Sequence, residues 1–121
     1  METAETLTSF VPGVMARAMS SGAMRPSRAC TQAGIQAGFH VIGDAGTEAV
    51  VSVFDELATE LGTPALARCA HRLEHAEMVS AAQADVLARC GVIASMQPLF
   101  DAAWGGPGEL YSQRLGDHRA P

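Results

Sequence analysis

Lysine does not occur in this sequence; all eight of its basic side chains are arginines. They are scattered, and against 13 acidic residues they leave a formal net charge of −5 and a pI of about 5.2. Such a chain has no basic stripe for a phosphate backbone to follow, which excludes nucleic acid as a partner. Charged residues are few (17%) and aromatics fewer (5%), while 48% of the chain is apolar and mean hydropathy is +0.13. A disordered tail is not built that way; a chain that buries a core is. No apolar run approaches the roughly 20 residues that a bilayer span needs. The start, with Glu2 and Glu5 close behind Met1, lacks the basic and then apolar opening of a secretory leader, so a cytoplasmic location is expected. Cysteine is scarce too. Cys30, Cys69 and Cys90 are odd in number, widely spaced and without a CxxC, which reads as reduced, mostly buried side chains and not as a thiolate metal site.

What is present is a regular alternation of element types across 121 residues, a length that suits one small domain. The first 25 residues carry the weakest pattern: a short helix over Phe10–Met19 that Ser20, Ser21 and Gly22 interrupt before Pro26 restarts the chain. Pro26 suits a helical first turn and Gly34 a left-handed cap, giving a helix over 26–33. Ile35–Ile42 reads as a buried strand, with Ile35, Ala37 and Phe39 on one face and Gln36, Gly38 and His40 on the other. Asp44 is placed to cap a helix to about Leu61, on which Val50, Phe54, Leu57 and Leu61 recur at helical spacing; Gly62 and Pro64 stop it. A second strand is expected over His71–His75, then a helix over 81–90 opened by a Ser80/Gln83 capping box and closed by Gly91. Val92–Gln97 makes a third strand, cut by Pro98, and the remainder is loop with one short helix near Leu110–Leu115. Strands alternating with helices over such connections mean βαβ units and a parallel α/β sheet.

Parallel α/β folds collect their chemistry at the carboxyl ends of the strands. His40, His75 and Gln97 stand at three such ends and would share one rim. His71 and His75 imitate the i, i+4 metal pair of a helix. On a strand, however, that offset separates their Cα atoms by about 13 Å, too far for one ion with bonds of about 2.1 Å. His71 is therefore expected to be structural. The residues alone leave other readings open: His40 and His75 as satisfied core histidines, Asp44 as a helix cap only, Glu74 as a partner for Arg72, and Gln97 as a group completing backbone hydrogen bonds.

Four runs, AGIQAGFHVIGD (33–44), HRLEHAEMV (71–79), GVIASMQPLFDAAW (91–104) and RLGDHRA (114–120), resemble the amidohydrolase family 3 branch, and the likeness extends to N-substituted formamide deformylases. It covers about residues 28–120. The resemblance implies a partial (β/α)8 barrel over residues 26–121, with about three parallel strands corresponding to strands five to seven, and a poorly matched segment over 1–25. It implies hydrolysis of non-peptide carbon–nitrogen bonds in a small amide-type substrate by metal-activated water, with zinc the expected cation. Carried over residue by residue, His40 and His75 match the metal ligands after the fifth and sixth strands. Asp44 falls in the family's HxIGD turn, behind the ligands, while Gln97 and Trp104 match the segment lining the substrate pocket after the seventh strand. The family's first-strand HxH pair and eighth-strand aspartate, the base, have no counterpart here, and the absence of lysine rules out a carboxylated bridging lysine. A whole barrel takes roughly 250 residues, so the expectation is a fragment, inactive alone, whose open edges call for a complementary chain or a homo-oligomer. The competing reading is a non-catalytic α/β module, or a decayed reading frame, that associates through those edges.

Overall fold

The computed structural model describes residues 6–7 and 14–118. In chain order the elements are β1 (Thr6–Leu7), α1 (Val14–Ala33), β2 (Gly38–Val41), α2 (Asp44–Leu61), α3 (Thr63–Cys69), β3 (Arg72–His75), α4 (Ala81–Arg89), β4 (Ile93–Ser95), α5 (Pro98–Trp104) and α6 (Leu110–Leu115). The strands form one open, wholly parallel sheet in the order β1-β2-β3-β4. This is the α/β architecture expected of a partial barrel, with the three anticipated strands extended by the two-residue β1. Residues 8–13 of the N-terminal segment, and 119–120 of the last family-like run, lie outside the described residues.

Alternation sorts the sheet into a helix-covered face and a bare one. Phe39, Val41 and Leu73 join Val50, Phe54 and Leu57 of α2 and Leu66 of α3 in the core. The neighbouring positions, Gly38, His40, Arg72, Glu74 and Ser95, are half-buried or exposed. Registers of Gly38 with Arg72, His40 with Glu74, and Glu74 with Ser95 set this second group side by side. Arg72 donates to Glu74 and, at 2.9 Å, to Ser95 Oγ. The Arg72–Glu74 pairing is the one the sequence suggested.

Several expectations need correction. Ser20–Gly22 and Pro26 do not break the first helix, which runs unbroken from Val14 to Ala33. Proline removes an N–H and crowds the carbonyl four residues back; here that residue is Gly22, which is exposed, as is Pro26. On the other face Ala23, Ser27 and Thr31 are buried at helical spacing, and Arg28 grips Glu60 of α2 with nitrogens at 2.9 and 2.7 Å. Tertiary packing outweighs the weak local propensity. Asp44 is not the cap of α2. Gly43 holds the cap position and Asp44 is the first helical residue, its Oδ1 accepting from Ala45 N at 2.9 Å. Pro64 and Pro98 each begin a helix, α3 and α5, where the sequence reading saw only interruptions.

The capping box at Ser80 and Gln83 forms as expected. Gly91 closes α4 at φ +65, and a Cβ there would lie 2.8 Å from Ala67 Cα. Glycine is thus required twice over, by backbone conformation and by the approach of α3. Cys69 and Cys90 are buried, Cys30 is partly so, and all three are free. No helix among the described residues is long and apolar enough to cross a membrane.

Candidate metal centre

His71, at the amino end of β3, is wholly buried and its proton can be assigned. Its Nδ1 accepts from Ala37 N at 3.0 Å, so Nε2 carries the hydrogen. That hydrogen goes to Thr31 Oγ1 at 2.8 Å, while the Thr31 hydroxyl donates to Ser27 O at 2.7 Å. Phe54 stacks on the ring with centroids 5.6 Å apart. Burial holds the His71 imidazole below its ordinary pKa. Each feature favours a neutral, structural histidine.

The opposite ends of β2 and β3 bring two other imidazoles together. His40 sits on the bare face. Strict alternation would send His75 to the other face with Leu73, but His75 has φ +75 and the following Ala76 φ +47. Two consecutive left-handed residues end the extended backbone, and Ala76 N returns to Val41 O at 3.0 Å. The His75 ring consequently meets that of His40, with Nδ1 of His40 3.1 Å from Nε2 of His75 and the rings tilted by 42°. Left-handed conformations at non-glycine residues are costly and gather where the surroundings impose them.

Zinc held by two imidazoles at about 2.1 Å in a tetrahedron separates their nitrogens by about 3.4 Å. The observed 3.1 Å fits that requirement closely, so the pair suits two positions of a metal ligand set. Among the described residues no group of three or more His, Cys, Asp or Glu is arranged to hold an ion. The two imidazoles alone do not make such a group.

Behind His75 lies a residue that the sequence reading did not single out. Glu77 Oε1 stands 3.9 Å from His75 Nδ1, and its side chain is only 4% exposed; both atoms are buried with no hydrogen-bond partner. The other carboxylate oxygen accepts from the Tyr111 hydroxyl of α6. Burial first, and then the Glu77 hydrogen bond, push the Tyr111 phenol well above its ordinary pKa, so it remains a donor. Aromatic rings continue the line. Phe100 stacks on His75 at 5.7 Å with planes 12° apart, Trp104 packs on Phe100 at 4.6 Å, and Tyr111 meets Trp104 edge-on at 6.3 Å.

Trp104 thus reaches the histidine pair through Phe100. Gln97, at the cap of α5, buries an Oε1 without a partner. Asp44 opens onto a groove that it shares with Glu48, Glu77, Ser80 and Gln83, whose lining does not include His40 or His75. On the bare face, the Arg72 hydrogen bond above all, then that of Ser95, holds the Glu74 carboxyl below its usual range.

The structure is thus an α/β protein with a parallel sheet and two imidazoles meeting at neighbouring strand ends. The chain belongs to the amidohydrolase family, whose family model matches residues 16–121. That family is one of hydrolases that generally use divalent metals and act on small molecules. No curated protein and no solved structure gives a match.

Proposed function

We propose that this chain contributes the fifth, sixth and seventh strands, as β2, β3 and β4, of an amidohydrolase barrel that cleaves non-peptide carbon–nitrogen bonds. In this reading His40 and His75 are ligands of a divalent cation, zinc by the chemistry of two neutral imidazoles. The observation that carries it is the 3.1 Å approach of His40 Nδ1 to His75 Nε2 at adjacent strand ends. Bound there, the cation supplies the Lewis acidity that brings a water toward a pKa of about 7. The chain's own residues orient and enclose. His40 and His75 offer lone pairs from two strands, and Phe100 and Trp104 give an apolar wall for a small amide-type substrate, of the sort taken by N-substituted formamide deformylases. Gln97 offers an uncommitted amide oxygen at the start of the helix that carries that wall, and Asp44 helps to line the neighbouring groove. Three free cysteines support a reducing, cytoplasmic setting.

A catalytic zinc keeps about three protein ligands and an open position, and only two donors converge among the described residues. The chain alone is accordingly inactive, and a complementary chain or further copies supply the rest. The free edge of β4 supports this: among the described residues the strand pairs on one side only, and Ile93, Met96 and Leu99 are exposed nearby. Zinc titration of the full 121-residue chain beside its His40→Ala and His75→Ala variants tests the ligand assignment. Binding lost in both variants supports it, and equal binding in all three chains defeats it.

A further inference from the structure

Two buried polar atoms without partners almost never face each other in a folded protein, yet His75 Nδ1 and Glu77 Oε1 do so at 3.9 Å. A small rotation of either side chain closes that gap to a hydrogen bond and satisfies both at once. Neither atom has another hydrogen-bond partner. The carboxylate is also fixed from behind, because Tyr111 donates to its second oxygen from α6, 34 residues along the chain. Two successive left-handed residues, His75 and Ala76, lead directly into Glu77.

We propose that Glu77 is the positioning residue of His75: its carboxylate, anchored by Tyr111, accepts the Nδ1 proton and so leaves Nε2 as the lone-pair nitrogen that faces His40. An imidazole binds a cation through one nitrogen, and the hydrogen bond at the other decides which nitrogen that is and how the ring is aimed. The assignment agrees with the 3.1 Å contact, since Nε2 of His75 is then the acceptor and His40 Nδ1 the donor in the metal-free chain. The role in metal binding rests on the ligand assignment proposed above; the tautomer does not.

Long-range ¹H–¹⁵N correlation spectra of the metal-free, full-length chain read the tautomer of each histidine directly. The expected result is His75 protonated at Nδ1, with Glu77→Met moving the proton toward Nε2 and Tyr111→Phe giving a smaller shift in the same direction. His71, held in its Nε2–H form by Ala37 N, reports from the same spectrum whether each variant is folded. Zinc affinity should fall about 10- to 100-fold in Glu77→Met. His75 protonated at Nε2 in the unaltered chain, or a tautomer unmoved in both folded variants, overturns the proposal. If the unaltered chain binds no zinc at His40 and His75, the metal reading fails, and the tautomer spectra still decide the role of Glu77. If zinc binds at that pair with equal affinity in Glu77→Met, the ligands stand and the positioning role is lost.

Discussion

Thr31 and His71, on α1 and β3, share a buried hydrogen bond of 2.8 Å whose direction is fixed by the Ala37 N–H on the far side of the ring. It ties the first long helix to the sheet before any of the site chemistry begins. Replacing Thr31 with Val keeps the shape but strands the His71 Nε2–H in the core. A buried donor left unpaired costs about 1–3 kcal/mol, and urea unfolding should show a loss of that size; an unchanged midpoint would mean the network does not contribute.

The same histidine sets a pH dependence. His71's folded pKa is lowered by burial, so folded and unfolded chains are both neutral there above about pH 6.5 and its contribution is fully present. As pH falls below that value the unfolded chain takes up a proton that the folded chain refuses, and stability declines until the folded pKa is reached. In NMR titration the His71 ring should still be neutral at the pH, about 6.5, where a free imidazole is half protonated. A midpoint at or above that value contradicts the account.

Gly91 and Gly34 offer a matched comparison, because both have positive φ but only Gly91 lies against a neighbour. Gly34→Ala should cost about 1 kcal/mol, the penalty of a left-handed backbone. Gly91→Ala adds a collision with Ala67 and should cost about 2 kcal/mol or more. Equal losses in thermal unfolding would show that α3 yields freely.

The free edge of β4 leads to a fourth test. Charges on an edge strand oppose pairing with another chain, so Ile93→Lys should reduce self-association in sedimentation velocity while leaving helix content intact. An unaltered sedimentation profile would place the contact elsewhere.

Much of this structure was readable from the chain, and the unread parts share a cause. Period-two alternation over 35–42 located β2, although the strand is only Gly38–Val41 and Ile35 is exposed, and Ser80 with Gln83 announces α4 through a local exchange of hydrogen bonds that needs no tertiary partner. The first helix is hard to read because Gly22 and Pro26 are poor helix formers, and only tertiary packing, along the buried Ala23, Ser27 and Thr31 and through Arg28 to Glu60 of α2, outweighs them. Pro64 and Pro98 read as stops in the sequence, although a residue lacking an N–H opens a helix as readily as it ends one. His40 and His75 were found by their places at strand ends. Glu77 was not, since alternation says nothing of a backbone that turns left-handed twice; HAEMV held the only hint, a carboxylate two positions past a candidate ligand. Phe100 became meaningful once α5 set it one turn before Trp104.

The central claim is that two imidazoles from adjacent strands act on one cation, and zinc titration of the unaltered chain followed at individual histidine rings tests it most directly. The account predicts concerted changes at His40 and His75, with His71 unmoved, and affinity falling on the order of 100-fold in either alanine variant. Zinc that perturbs His71 or His118 while leaving His40 and His75 unchanged would contradict it.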